Sequence, residues 1–166
     1  MRRRILAATV ALLAVAAGSA EAQELAPRDR PGPALIPPAS ALDAALSCSP
    51  DLASTTKAPV LLVPGTGEDP RLEWGWNYEP ALRDEGRAVC LVTIPTNGLQ
   101  DIQLSAEYLV HAIRTMHARS GRRIAVIGHS QGGMSPRFAL RFWPDTRAMV
   151  EDYIGLASSN HGTTAA

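Results

Sequence analysis

Ile124-Ala125-Val126-Ile127-Gly128-His129-Ser130-Gln131-Gly132-Gly133 is the stretch that decides the fold. Its first four residues are a short apolar run, the pattern of a buried strand. The run ends in Gly128-His129-Ser130-Gln131-Gly132, a G-x-S-x-G pattern, and a helix-like stretch begins with Gly133. Between a strand and a helix, this pattern predicts a nucleophile elbow, a sharp turn that pushes a serine hydroxyl out at the carboxyl end of the strand. Gly128 and Gly132 let the two backbones approach closely around Ser130. The helix start behind the serine offers unpaired N–H groups and a positive dipole end. Acyl transfer through an ester on Ser130 is the predicted chemistry; a structural serine in a chance match is the plainer alternative.

Two apolar runs precede the elbow. Pro59-Val60-Leu61-Leu62-Val63 reads as a buried strand ending in the turn Pro64-Gly65-Thr66-Gly67, and Ala88 to Ile94 as another ending at Pro95. Between them, a polar loop holding Trp74 and Trp76 leads to a helix expected over Tyr78 to Glu85, stopped by Gly86. Asp101 is a helix N-cap, and Ile102, Ala106, Leu109, Ile113 and Met116 then form one apolar stripe that ends near Gly121. After the elbow, Met134, Phe138 and Phe142 are the expected inner face of a helix closed by Pro144. Tyr153 to Ala157 is a last strand, followed by Ser158 to Thr163. Near the start, Ser40 to Leu46 is a short helical candidate, and Ser47 to Lys57 is polar. Strand–helix alternation predicts an α/β fold, a parallel, doubly wound sheet with helices on both faces. Sites then belong at the carboxyl ends of strands. Three turns collect there: residues 64–67, 128–132 and 158–163.

With 166 residues, 46% hydrophobic and 19% charged, the chain has ordinary globular composition. A formal net charge of +0 gives no basis for nucleic acid as a partner. Residues 1–22 read as a secretory signal peptide: Arg2-Arg3-Arg4, an apolar run from Ile5 to Ala17, and the small-x-small site Ala20-Glu21-Ala22. A membrane anchor is the alternative, but the run is shorter than the roughly 20 residues that a span needs. Removing the segment takes three cations and one anion from a neutral chain, leaving −2. Residues 23–40, with Pro27, Pro31, Pro33, Pro37 and Pro38, read as an extended Pro-rich linker. Residues 41–166 then hold the folded domain. Cys48 and Cys90 are the only cysteines. An even count in an exported chain suggests one disulfide, with two buried free thiols as the alternative. Zinc is disfavoured, because the chain has no C-x-x-C and no paired histidine spacing.

A serine hydroxyl needs a base, an acid behind that base, and N–H donors aimed at the oxyanion. The Gln131 backbone N–H, just after the nucleophile, is the usual first donor. Gly65-Thr66-Gly67 is placed to supply the second, with a plain turn as the alternative. His129 adjoins the nucleophile and points elsewhere, so it is expected to pack near the site. His161 lies at a strand end, but the order in such folds is Ser, acid, His, and no acid at a strand-end loop separates it from Ser130. His111 and His117 read as surface residues of the long helix. Trp74, Trp76 and Tyr78 suit either an acyl-pocket wall or ordinary packing.

The glycine turn Pro64–Gly67 after Val60–Val63, the elbow with Ser130-Gln131-Gly132-Gly133, the Phe142-Trp143-Pro144 helix end and Ser159-Asn160-His161-Gly162-Thr163 resemble secreted lipases of the Candida antarctica lipase B type. The similarity runs from Ala39 to Thr163. His129 stands where that type carries a tryptophan. The resemblance implies an α/β-hydrolase fold and hydrolysis of carboxylic or lipid esters. It implies Ser130 as nucleophile, Thr66 and Gln131 as oxyanion hole, a Cys48–Cys90 disulfide, and no metal or organic cofactor. Expected partners are an ester or lipid substrate and transient contact with a lipid interface, without a stable membrane span; the expected location is extracellular or periplasmic. The family places its catalytic Asp and His further along than Ala166, so the chain is expected to be the N-terminal part of such a domain. The competing expectations are an inactive fragment or binding module, and an acyltransferase, amidase or polyester depolymerase built on the same elbow.

Overall fold

The computed structural model describes residues 26–162. The signal-peptide reading of residues 1–22, the first linker residues and Thr163 lie outside them. The chain order is α1 (Ala39–Ala44), β1 (Leu46–Cys48), β2 (Val60–Val63), α2 (Pro70–Trp74), α3 (Tyr78–Asp84), β3 (Val89–Val92), α4 (Ile102–Ser120), β4 (Ile124–His129), α5 (Ser135–Phe142), α6 (Thr146–Met149) and β5 (Val150–Leu156). Short 3₁₀ turns occupy Pro50–Ala53, Pro95–Gly98 and Ser130–Gly133.

The five strands form one sheet in the order β1-β3-β2-β4-β5. β3, β2, β4 and β5 run parallel, as the alternation with helices requires; β1 pairs antiparallel on the β3 edge. β1 is not legible in the sequence: the expected helix over Ser40 to Leu46 stops at Ala44, and Leu46 pairs with Val92. At the opposite edge, β5 pairs only with β4 among the described residues.

Side-chain alternation divides the core between the two faces. Val60, Leu62, Val89, Leu91, Ala125 and Ile127 pack with Trp74 and Leu82 under α2 and α3. Leu61, Val63, Val92, Ile124 and Val126 pack against α4 residues Leu109, Ile113 and Met116 on the other face. Each of these large side chains, removed from water, stabilises the fold by about 1.5–3 kcal/mol. Asp101 caps α4 by accepting from Gln103 N at 2.7 Å, and Gly121 ends the helix at φ 64.

Helix α5 departs from its expected inner face. Its buried residues are Ser135, Pro136 and Ala139, followed by Trp143 after its end. Phe138 is only half-buried and Phe142 is 50% exposed; their rings pair at 4.4 Å. The small inner residues let α5 lie close to α4, which displaces the aromatic stripe sideways.

The Pro-rich segment is linker-like in composition; residues 26–38 form no helix or strand, while its expected last residues, Ala39 and Ser40, already open α1. It is nevertheless fastened along the domain. Trp143 Nε1 donates to Pro33 O at 2.8 Å, Arg114 donates to Pro31 O at 2.6 Å, and Ile36 N donates to the buried Glu107 carboxylate at 2.5 Å. Cys48 and Cys90 are bonded, joining adjacent strands whose Cα atoms there are 4.0 Å apart.

Candidate active site

Register brings the strand ends together. Val63 on β2 lies beside Gly128 on β4, and Gly128 lies beside Gly155 on β5. The turns after these strands therefore meet around Ser130. The carboxyl end of β3 adds a fourth, the Pro95–Gly98 turn, beyond the three expected from the sequence. Its signal was the Asn97-Gly98 dipeptide.

Ser130 stands at φ 52, a left-handed conformation that disfavours any residue with a side chain. Among the described residues, the other non-glycine positions at positive φ are Thr96, Asn97 and Ala157, all after carboxyl ends of strands. Backbone strain is thus concentrated on one rim of the sheet, the usual place for a functional cluster. Gly132 permits the elbow: a Cβ there would lie 2.2 Å from Pro64 O and 2.5 Å from Val63 O. Gly133 and Gly155 leave room for Ser158 Oγ, which would sit 2.1 Å and 2.3 Å from added Cβ atoms.

Four hydrogen bonds hold the Pro64–Gly67 turn, the first of them to the elbow. Thr66 Oγ1 donates to Gln131 Oε1 at 3.0 Å. Gly67 N donates to Asn97 O at 2.7 Å, and Glu68 N to Gly65 O at 3.3 Å. Gly65 N donates to Glu73 Oε2 at 2.9 Å. Neither the Thr66 nor the Gln131 backbone N–H is used in a hydrogen bond among the described residues. Ser130, Gln131, Thr66, Gly98, Leu99 and Ser159 line a cleft of about 490 Å³. The expected nucleophile and both expected oxyanion donors therefore share one cavity.

No general base stands beside Ser130 among the described residues. His129 turns away, its Nδ1 2.5 Å from Glu73 Oε1. His161 is exposed and outside the serine cleft. His111 is half-buried and bonded to Asp43 at 2.8 Å, and His117 contacts the Arg122 carbonyl at 2.7 Å. Asp145 is engaged by Arg114, remote from the site. Behind the elbow, burial raises the Tyr153 phenol above its ordinary pKa, against the opposing pull of the Ser158 hydroxyl and Arg137. Neither the Tyr153 hydroxyl nor Ser158 Oγ has a hydrogen-bond partner of good geometry. No three His, Cys, Asp or Glu among the described residues gather so as to hold a metal ion.

The aromatic trio divides. Trp74 is buried in the core with its ring edge-on to Tyr78 at 5.5 Å, whereas Trp76 is 77% exposed. Leu72, Trp76, Tyr78, Glu68 and His129 line a second cleft of about 410 Å³ next to the elbow. Glu73 had no assigned role in the sequence. The missed signal was Asp69-Pro70, a helix-start pair, and Asp69 does cap α2.

No family model matches the sequence. Over 135 residues the chain is 36% identical to lipase B of Pseudozyma antarctica, an alignment that covers 81% of this chain and 40% of that protein. The structure of Aspergillus fumigatus lipase B matches with a TM-score of 0.75 and 32% identity, over 80% of this chain and 32% of that one. A Bacillus licheniformis lipase in its mature form shares the fold, with a TM-score of 0.60 and 21% identity over 72% and 49% of the two chains. The chain thus spans 40% of the length of the lipase B it matches in sequence. By its sheet and these comparisons, the chain has an α/β-hydrolase fold and is similar in sequence and structure to part of lipase B.

Proposed function

We propose that this chain carries the nucleophile part of a secreted serine hydrolase that cleaves carboxylic esters of lipid type. The observation that carries the reading is Ser130, held at φ 52 at the end of β4, in a cleft also lined by Thr66 and Gln131, whose backbone N–H groups are uncommitted among the described residues. In this mechanism Ser130 Oγ attacks the ester carbonyl carbon while a base takes its proton. The carbonyl oxygen becomes an oxyanion and accepts from the Thr66 and Gln131 amides. Loss of one such donor costs about 3 kcal/mol of transition-state stabilisation. The Thr66 hydroxyl, which now donates to Gln131, can turn to the oxyanion as a third donor. The alcohol leaves with a proton, and water then cleaves the acyl-enzyme.

The described residues offer Ser130 no base, so the catalytic histidine and its acid are assigned to sequence outside them. Exposed Leu72, Trp76 and Leu99 at the mouths of the two clefts support transient contact with a lipid interface. No helix among the described residues is long and apolar enough to cross a membrane. The signal-like residues 1–22 and the disulfide support export.

The test uses the full-length protein. A fluorophosphonate should label Ser130, and Ser130→Ala should abolish ester turnover. Unchanged turnover in that variant sinks the proposal. The absence of a base near Ser130 favours one second reading, a non-catalytic ester-binding module, which predicts binding without labelling or turnover.

A further inference from the structure

We propose that Glu73 is a positioning residue that sets the oxyanion turn against the nucleophile elbow; the inference rests on the ester-hydrolase reading of Ser130. Its carboxylate is shared between the two halves of the site. Oε2 accepts from the Gly65 N–H at 2.9 Å, and Oε1 lies 2.5 Å from His129 Nδ1. Gly65 directly precedes Thr66, and His129 directly precedes Ser130. One carboxylate therefore clasps the residue before an oxyanion donor to the residue before the nucleophile.

The placement is rigid. Glu73 is the fourth residue of α2, whose start is fixed by Pro70 and by the Asp69 cap to Arg71 N and Leu72 N. Its own carbonyl accepts from Asn77 Nδ2 at 3.0 Å, which ties α2 to the start of α3. The Glu73 side chain is 12% exposed, while that of His129 is 45% exposed. An ionised carboxylate only accepts, so against one the contact has His129 Nδ1–H as donor. The turn also touches the elbow directly: a Cβ on Gly65 would lie 3.3 Å from both His129 Nδ1 and Ser130 Cβ. Without Glu73, the buried Gly65 N–H loses its acceptor. The peptide then turns to find another, carrying the Thr66 N–H with it. An error of about 1 Å in such a donor costs up to roughly 100-fold in rate, although substrate binding is little affected.

The experiment compares Glu73→Ala and Glu73→Gln in the full-length protein. Glutamine can accept from Gly65 with its oxygen and donate to Nδ1 with its nitrogen, provided that His129 changes tautomer. The clasp therefore predicts that Glu73→Ala lowers kcat by about 10–100-fold with KM within about 3-fold. Glu73→Gln should restore most of that loss. Amide exchange at Gly65 should accelerate in Glu73→Ala and remain protected in Glu73→Gln, a readout that needs no turnover and reports whether the variant is folded. Wild-type kcat in Glu73→Ala, a loss confined to KM, a Glu73→Gln variant as slow as Glu73→Ala, or unchanged Gly65 exchange would each overturn the inference. Wild-type turnover that survives Ser130→Ala would instead identify failure of the ester-hydrolase reading itself.

Discussion

Gly128→Ala should break the elbow by a steric conflict whose size can be worked out. An added Cβ would lie 1.9 Å from Gly132 O, 2.4 Å from Gly132 C and 2.8 Å from Gly133 N. All three are backbone atoms, so no rotamer change relieves them. Real Cβ atoms essentially never come closer than 3.0 Å, so the oxygen contact alone demands an opening of 1.1 Å (3.0 minus 1.9). Gly128 is not among the glycines at positive φ, so the cost is packing and not backbone conformation. Overpacking a rigid site costs about 1–3 kcal/mol and occasionally more. With only backbone able to yield, we expect about 3–4 kcal/mol. That corresponds to a fall of roughly 10 °C in Tm for a domain of this size. Gly121→Ala is the control: φ is 64 and the space around it is open, so only the left-handed conformation is penalised, by about 1 kcal/mol. Urea and thermal unfolding with the disulfide intact measure both variants, and phosphonate labelling of Ser130 in the full-length protein reports on the site. A Gly128→Ala variant within about 1 kcal/mol of wild type, labelled at the wild-type rate, would refute the close approach of Gly128 to Gly132.

Two further outcomes are expected. Replacing Cys48 and Cys90 with alanine opens a loop of sequence separation 42 and should cost about 4 kcal/mol in urea unfolding, by the chain-entropy estimate; a loss below about 1 kcal/mol would contradict it. The raised Tyr153 pKa means that the folded state holds the phenolic proton more tightly than the unfolded chain does. Its stabilisation is complete below the unfolded pKa of about 10 and is lost as pH rises through the folded value. Tyr153→Phe should therefore flatten the decline in stability above about pH 10, and parallel profiles for the two proteins would count against the shift.

Local rules sufficed for the central elements. β2, β3 and β4 were legible because each is a short apolar run closed by glycine or proline, and α4 because its cap, stripe and terminal glycine agree. Strand β1 was not, because Leu46-Ser47-Cys48 carries too little pattern to compete with a helical reading. It exists by virtue of its pairing with β3, including Cys48 opposite Cys90. Helix α2 was hidden in a segment of mixed polarity and emerges from the Asp69 cap. Phe138 and Phe142 show the limit of periodicity. Helical spacing placed them on one face, but the close α4–α5 contact assigned the interior to Ser135 and Ala139.

The order of residues alone determined that Ser130 would sit at a tight bend between a strand and a helix. Glycine spacing and apolar runs are local constraints, and a short window of sequence contains all of them. Which other groups face that serine was decided by the tertiary structure. Thr66 and Asn97 come from the turns after β2 and β3 and Glu73 from α2, and the parallel register of β3, β2 and β4 brings them to the same rim. Contacts between residues distant in the chain depend on how the strands align, and no window of sequence contains that alignment.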